Sequence, residues 1–269
     1  MPPSLKTTLF RSHVRPRFVR LIVSGAVTVS FFTLFGFIFL ITQYFQFFKG
    51  YHPLSTGVHL LPVAFAVGIM SVLGTQLAVR FGTKQVVTAG LFFFAVFFAW
   101  VSTADTATSY LEIVGQMLLG GSGVGLVSAP ATEAIMGVVP KAKAGIGSAV
   151  NDATRLLGST LGVAVIGSVY ASLYNNRLSD RLPAELAPRL ARTAHDSVGG
   201  ALQLANRTGV NGDPALANAV HAAASNAFFH GFSAACLVAA GISAVAAIAT
   251  LVLLPAHPAT GLTLALEPE

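Results

Sequence analysis

The chain alternates between long apolar stretches and short segments that hold proline, glycine or charge. The apolar runs occupy 21–48, 54–79, 84–102, 109–138, 145–173 and 227–254. Each is close to or beyond the roughly 20 residues that carry an α-helix across the hydrocarbon of a bilayer. Inside lipid the backbone has no water to bond with, so such runs close their hydrogen bonds internally as helices. The pattern predicts an all-α, polytopic transmembrane helix bundle of about six spans over 21–254, with 1–20 and 255–269 outside it. The first run exceeds the apolar core of a signal peptide, about 7–15 residues. It also ends in the polar-aromatic cluster Gln43, Tyr44 and Gln46, so it reads as a span. Pro130 falls inside the fourth run, which predicts a kink or a helix end that stands clear of the membrane.

Between the fifth and sixth runs the sequence predicts a long loop, 174–226. Leu178, Leu182, Leu186 and Leu190 recur there every four residues, with arginines and acids between them. That spacing fits an amphipathic helix on the membrane surface, cut short by Pro183 and Pro188. A solvated linker fits equally well. Asn206-Arg207-Thr208 matches a glycosylation acceptor, a short and weak pattern.

Composition strengthens the membrane reading: 54% of the 269 residues are hydrophobic and 10% charged, against about 25% charged in a soluble domain. So few charges cannot cover a water-facing surface. The net charge of +6 does not point to nucleic acid, because the basic residues sit at the ends of apolar runs rather than on one face beside stacking aromatics. They set orientation instead. Lys6, Arg11, Arg15, Arg17, Arg20, Arg80, Lys84, Lys141 and Lys143 gather on one side, against Lys49 and five arginines of 174–226 on the other. The richer side is expected in the cytoplasm, with both termini there. Cys236 is the only cysteine, so no disulfide framework or thiolate metal site is available.

Ionisable groups inside spans cost about 2.5–3.5 kcal/mol each on insertion scales, so each asks for a reason. Asn151-Asp152-Ala153-Thr154-Arg155 lies in the fifth run, and spacing of three puts Asp152 and Arg155 on one helix face. They can form an ion pair that makes insertion tolerable; Asp152 can also exchange a proton while Arg155 tunes it. Glu133, three residues after Pro130, is a second site for a proton or a partner for Arg155, or it faces water. Glu112 belongs at the outer interface. Gln43, Gln46, Gln76, Gln116 and Asn151 need hydrogen-bond partners, at a helix interface or along a substrate path. Gly120, Gly121, Gly123 and Gly125 in the fourth run, and Gly158 and Gly162 in GxxxG spacing in the fifth, suit close helix packing. They have no preceding strand or P-loop lysine, so they do not read as a phosphate site. The seven histidines are scattered without ligand spacing; neither a metal, another cofactor nor catalysis is expected.

Several stretches carry a family likeness. Gly145-Ile-Gly-Ser-Ala-Val-Asn-Asp-Ala-Thr-Arg-Leu-Leu-Gly-Ser-Thr-Leu-Gly-Val-Ala-Val-Ile-Gly-Ser168 resembles the penultimate span of fourteen-span drug:proton antiporters of the EmrB/QacA type, in the major facilitator superfamily. Thr42-Gln-Tyr-Phe-Gln46, Pro53-Leu-Ser-Thr-Gly57, Leu61-Pro62, Ala129-Pro-Ala-Thr-Glu-Ala-Ile-Met136 and Val139-Pro140 agree, in family order. The resemblance implies that these are the last six of fourteen spans, the carboxy-terminal bundle of a transporter. It implies export of small, often cationic or amphipathic compounds in exchange for protons, in a bacterial inner membrane. Arg80-Phe-Gly-Thr-Lys84 resembles the cytoplasmic gate loop, with Arg80, Gly82 and Lys84 as its latch; Val79 stands where the first-half version carries an acid. The bilayer, a small-molecule substrate and protons are the implied partners. A separate amino-terminal half or a second copy of the chain would complete the cavity; a non-transporting subunit or inactive remnant is the other reading.

Overall fold

The computed structural model describes residues 16–136, 144–183, 188–210 and 213–254. They form helices α1 (Pro16–Phe47), α2 (Pro53–His59), α3 (Leu61–Phe81), α4 (Thr83–Val101), α5 (Tyr110–Met136), α6 (Ala144–Ser179), α7 (Pro188–Asp196), α8 (Val198–Val210) and α9 (Pro214–Leu253). Six segments are long and apolar enough to span: Leu21–Phe47, Pro53–Phe81, Thr83–Val101, Tyr110–Met136, Gly145–Ser179 and Pro214–Leu253. The molecule is an all-α, multi-pass membrane bundle.

The helix ends follow local rules. Prolines open α2, α7 and α9 at the first turn, where their missing N–H goes unmissed. The side chain of Asp213 caps α9 by accepting from the N–H of Leu216 at 3.0 Å. Gly82 takes φ +93° between α3 and α4, a conformation that a side chain would strain. Pro130 sits within α5, which continues through it. The helix that carries the last apolar run begins at Pro214, ahead of the run at 227, because the cap and the proline start it there.

Helices stack in two rows. In front, α3 packs on α5, α5 beside α1, and α1 on α6; behind them α4 and α9 pack on each other, α4 against α5 and α9 against α6 and α1. Lipid offers no hydrophobic drive between spans, so association depends on close contact of small residues. A Cβ on Gly121 would meet the carbonyl of Val63 at 2.6 Å, and one on Gly125 would meet Met70 at 2.7 Å, so both hold α5 to α3. Gly158 and Gly162 press against the backbone of Thr28 and Phe32 and set α6 on α1. Between the rows lies an aromatic core, with Phe94, Phe97, Phe98, Phe228 and Phe232 fully buried.

At about 1.5 Å per residue, the 36 residues of α6 and the 40 of α9 run far past the ~30 Å hydrocarbon layer. On their protruding ends sits a cap made of α7 and α8. Ala194, Val198, Ala201, Leu204 and Ala205 are buried there against Tyr174, Leu178, Val220 and Ala224. The hydroxyl of Tyr174 donates to the carbonyl of Ala194 at 2.9 Å, and Arg177 donates to Asn226 at 3.1 Å. Segment 174–226 is thus largely helical instead of a loop. Its leucine repeat does not form one surface helix: Leu178 is buried on α6, Leu182 lies beyond its end, and Leu190 is exposed on α7. Leu186 lies outside the described residues.

Candidate functional site

The outer members of the front row, α3 and α6, are scarcely covered: 11% of the second span and 22% of the fifth are buried, against 61% of α5. Between them α1 presents a stripe, Ser24, Phe31, Phe35, Ile38 and Thr42, that is only partly buried. The steps of three, four and seven put these residues on one helix face. They line a groove between α5 and α6.

Arg155 spans this groove. Its Nη2 donates to Thr132 Oγ1 at 3.0 Å and to Ser128 Oγ at 3.4 Å on α5. Its guanidinium lies 5.1 Å from the centre of the Phe31 ring on α1. A charge-bearing hydrogen bond contributes about 1.5–3 kcal/mol and a cation over a ring about 0.5–2, enough to hold the side chain without neutralising it. Arg155 Nε remains buried without a partner, as does Oδ1 of Asn151, one turn away on the same buried stripe of α6. Ser128 and Thr132, spaced by four on α5, were the readable sign of a docking place; the sequence reading passed over them.

The expected pair of Asp152 with Arg155 does not form. Asp152 is exposed, and among the described residues no bond joins the two. Spacing put them on one face, but the hydroxyls of α5 draw the arginine inward. Glu133 is likewise exposed at its end of α5 and is not a partner of Arg155. Gln46 and Gln76 are exposed, and Gln43 is half-buried with Nε2 near the carbonyl of Phe39 at 3.5 Å. Gln116 is buried, its Nε2 without a partner. Glu112 accepts from Trp100 Nε1 at 3.3 Å. Arg80 is exposed, its guanidinium 5.4 Å from the ring centre of Phe81, and Lys84 is half-buried across Gly82. Lys141 and Lys143 lie outside the described residues.

At the opposite end the helices are tied by the α4–α5 turn. Tyr44 donates to the carbonyl of Asp105 at 2.9 Å, and Lys49 to those of Thr106 and Thr108 at 3.1 and 2.8 Å. The Thr108 hydroxyl, then the Ala107 N–H, hold the Asp105 carboxyl below its ordinary range. His59 closes α2 between the rings of Tyr51 and Tyr110, at 4.2 and 4.8 Å between centroids, with Nδ1 2.7 Å from the carbonyl of Ser55. Among the described residues no three histidine, cysteine or acidic side chains converge as a metal site. A small cavity between α1, α3, α4 and α5 is walled by Leu34, Phe37, Val63, Phe94, Phe97 and Met117 and offers a ligand no polar contact.

Six helices of membrane-crossing length packed into one bundle define a multi-pass membrane protein. The chain belongs to the Major Facilitator Superfamily, whose sequence profile matches residues 2–163. It is 36% identical over 196 residues to Multidrug resistance protein Stp of Mycobacterium tuberculosis, a match covering 73% of this chain and 34% of that protein. It is 33% identical over 218 residues to Methyl viologen resistance protein SmvA of Salmonella typhimurium, covering 80% and 43%. It is 31% identical over 177 residues to Multidrug efflux pump LfrA of Mycolicibacterium smegmatis, covering 66% and 35%. The chain thus spans about a third to two fifths of the length of these curated relatives.

Proposed function

We propose that the chain is the carboxy-terminal six-span bundle of a fourteen-span drug:proton antiporter of the EmrB/QacA type, exporting small amphipathic compounds, cationic ones included, in exchange for protons. One observation carries the reading: Gln76, Glu133 and Asp152 are exposed inside or at the ends of spans, on or beside the helices least covered by the rest of the chain. Lipid is a poor solvent for such groups. A second bundle packed over α3 and α6 would enclose the groove and leave it wet. Relatives with two to three times this chain's matched length support the same view.

In this reading Asp152, Arg155 and Glu133 are the proton-coupling residues, and Gln43, Gln46, Gln76 and Asn151 lie along the substrate path. Arg80, Gly82 and Lys84 form the inner gate loop. Segments 1–20 and 255–269 lie in the cytoplasm, the cap of α7 and α8 on the far side of the inner membrane. A separate amino-terminal half, or a second copy, supplies the opposite wall. The short match to the relatives also suits a non-transporting fragment in which the same side chains only pack.

Proton-coupled efflux of a fluorescent cationic dye from energised vesicles separates these readings, measured with this chain alone and with a co-expressed amino-terminal eight-span half. We expect efflux with both halves, abolished by Asp152→Asn at equal insertion. No efflux in either case, from well-inserted protein, sinks the transport reading.

A further inference from the structure

We infer that a phospholipid with a primary ammonium in its headgroup binds the outside of the bundle at Glu112 and Trp100, where α4 meets α5. At about 3.6 residues per turn, Glu112 and Ser128 fall on nearly opposite sides of α5. This surface therefore lies away from the groove and does not depend on the export reading.

Gly115 makes the seat. A Cβ there would meet Cη2 of Trp100 at 3.2 Å, so its absence lets the indole of α4 settle on α5. From that position Trp100 Nε1 donates to Glu112 Oε1 at 3.3 Å, about one turn away on α5. The N–H of Glu112 donates to Ser109 Oγ at 3.2 Å. Both partners are neutral. Among the described residues no lysine, arginine or histidine pairs with the carboxylate. The 27 residues of α5, at about 1.5 Å each, outreach the ~30 Å hydrocarbon layer, so the first turn stands level with the headgroups of a bilayer. An acid in that turn suits the helix dipole, but the dipole calls for neither an indole beside it nor a glycine beneath the indole.

A carboxylate next to an aromatic face is a receptor for an ammonium. The carboxylate oxygens accept its N–H groups, and the ring attracts its charge. A trimethylated headgroup has no N–H to donate, and a headgroup with net negative charge is repelled. The remaining surface suits the tails of the same molecule. Val96 and Phe92, one and two turns along α4 from Trp100, and Leu118 on α5 are all exposed, and they continue from the indole toward the middle of the membrane as an apolar strip. A small soluble amine would use the charge and leave this strip uncovered.

Trp100 is the only tryptophan of the chain, so its fluorescence reports on this surface alone. The test uses the purified full chain in phosphatidylcholine nanodiscs, with lipids whose brominated acyl chains quench an indole that they touch. We expect brominated phosphatidylethanolamine to bind at Trp100 about threefold tighter than brominated phosphatidylcholine or phosphatidylglycerol, the effect of a cation over a partly exposed ring. Glu112→Gln keeps an oxygen for the indole but removes the charge, and brings phosphatidylethanolamine to the level of phosphatidylcholine. Should that variant not fold, salt decides on the wild type. Attraction to a partly exposed carboxylate is screened as ionic strength rises, so the preference shrinks, whereas one set by lipid shape does not. Equal quenching by the three lipids overturns the inference, as does no quenching by any of them, a preference that survives Glu112→Gln, or one indifferent to salt.

Discussion

Glycines 158 and 162 decide how α6 meets α1, because a methyl group at either position runs into main chain that cannot turn aside. Gly162→Val is expected to lower the stability of the purified bundle by about 1–3 kcal/mol, seen as a lower melting temperature in detergent. Gly68→Val, where a Cβ meets nothing within 4 Å, should leave it near wild type. Asp105 gives a prediction in pH. Its carboxyl is held below the ordinary range by the Thr108 hydroxyl and the Ala107 N–H, so the folded state favours its ionised form. The associated stability is present above the unfolded pKa and is lost as pH falls through the lower folded value. Melting curves of wild type and Asp105→Asn should therefore differ at neutral pH and converge as the solution is made acid; a constant gap would refute the assignment. At this scale the sequence was only half legible. It marked Asp152 and Arg155 as the charged residues to explain, but which neighbour Arg155 chooses depends on hydroxyls that arrive from another helix.

Spans are the most readable elements, since lipid forces long apolar runs into helices and the boundaries near 21, 54, 84 and 109 need no tertiary knowledge. The last helix was harder to read. Hydropathy passes over Asn218, His221, Ser225 and Asn226, while Asp213-Pro214 announces a helix start to anyone reading caps. The leucine repeat of 178–190 was hard to read for a similar reason: its spacing fits a surface helix or a linker, but Leu178 is buried on α6 among residues of α7, α8 and α9. Removing the Tyr174 hydroxyl, which bonds to Ala194, should loosen this contact by about 1 kcal/mol. Tyr174→Phe is then expected to speed amide exchange in Pro188–Asp196 while leaving α4 and α5 as protected as before; equal protection of the cap would show that the bond contributes nothing.

Across the whole molecule, the order of helices was legible from pattern alone, but the two-row arrangement and the open front were not, because they depend on which stripe of each helix finds a neighbour. Orientation can be tested directly. With the membrane intact, cysteines placed at Arg192 and Arg207 should react with an impermeant maleimide added outside, and one placed at Arg80 only after permeabilisation. Cys236, which is fully buried, should stay silent in both. Reversed labelling would overturn the topology proposed here. The cap has one more consequence, for seeing the protein rather than for its work. A small membrane bundle is close to featureless in projection, and its particles are hard to align in a micelle. The packed knob on α6 and α9 breaks that symmetry and presents a folded epitope to antibody fragments. A fragment that grips α7 and α8 would give the particle a fixed landmark while leaving the groove free.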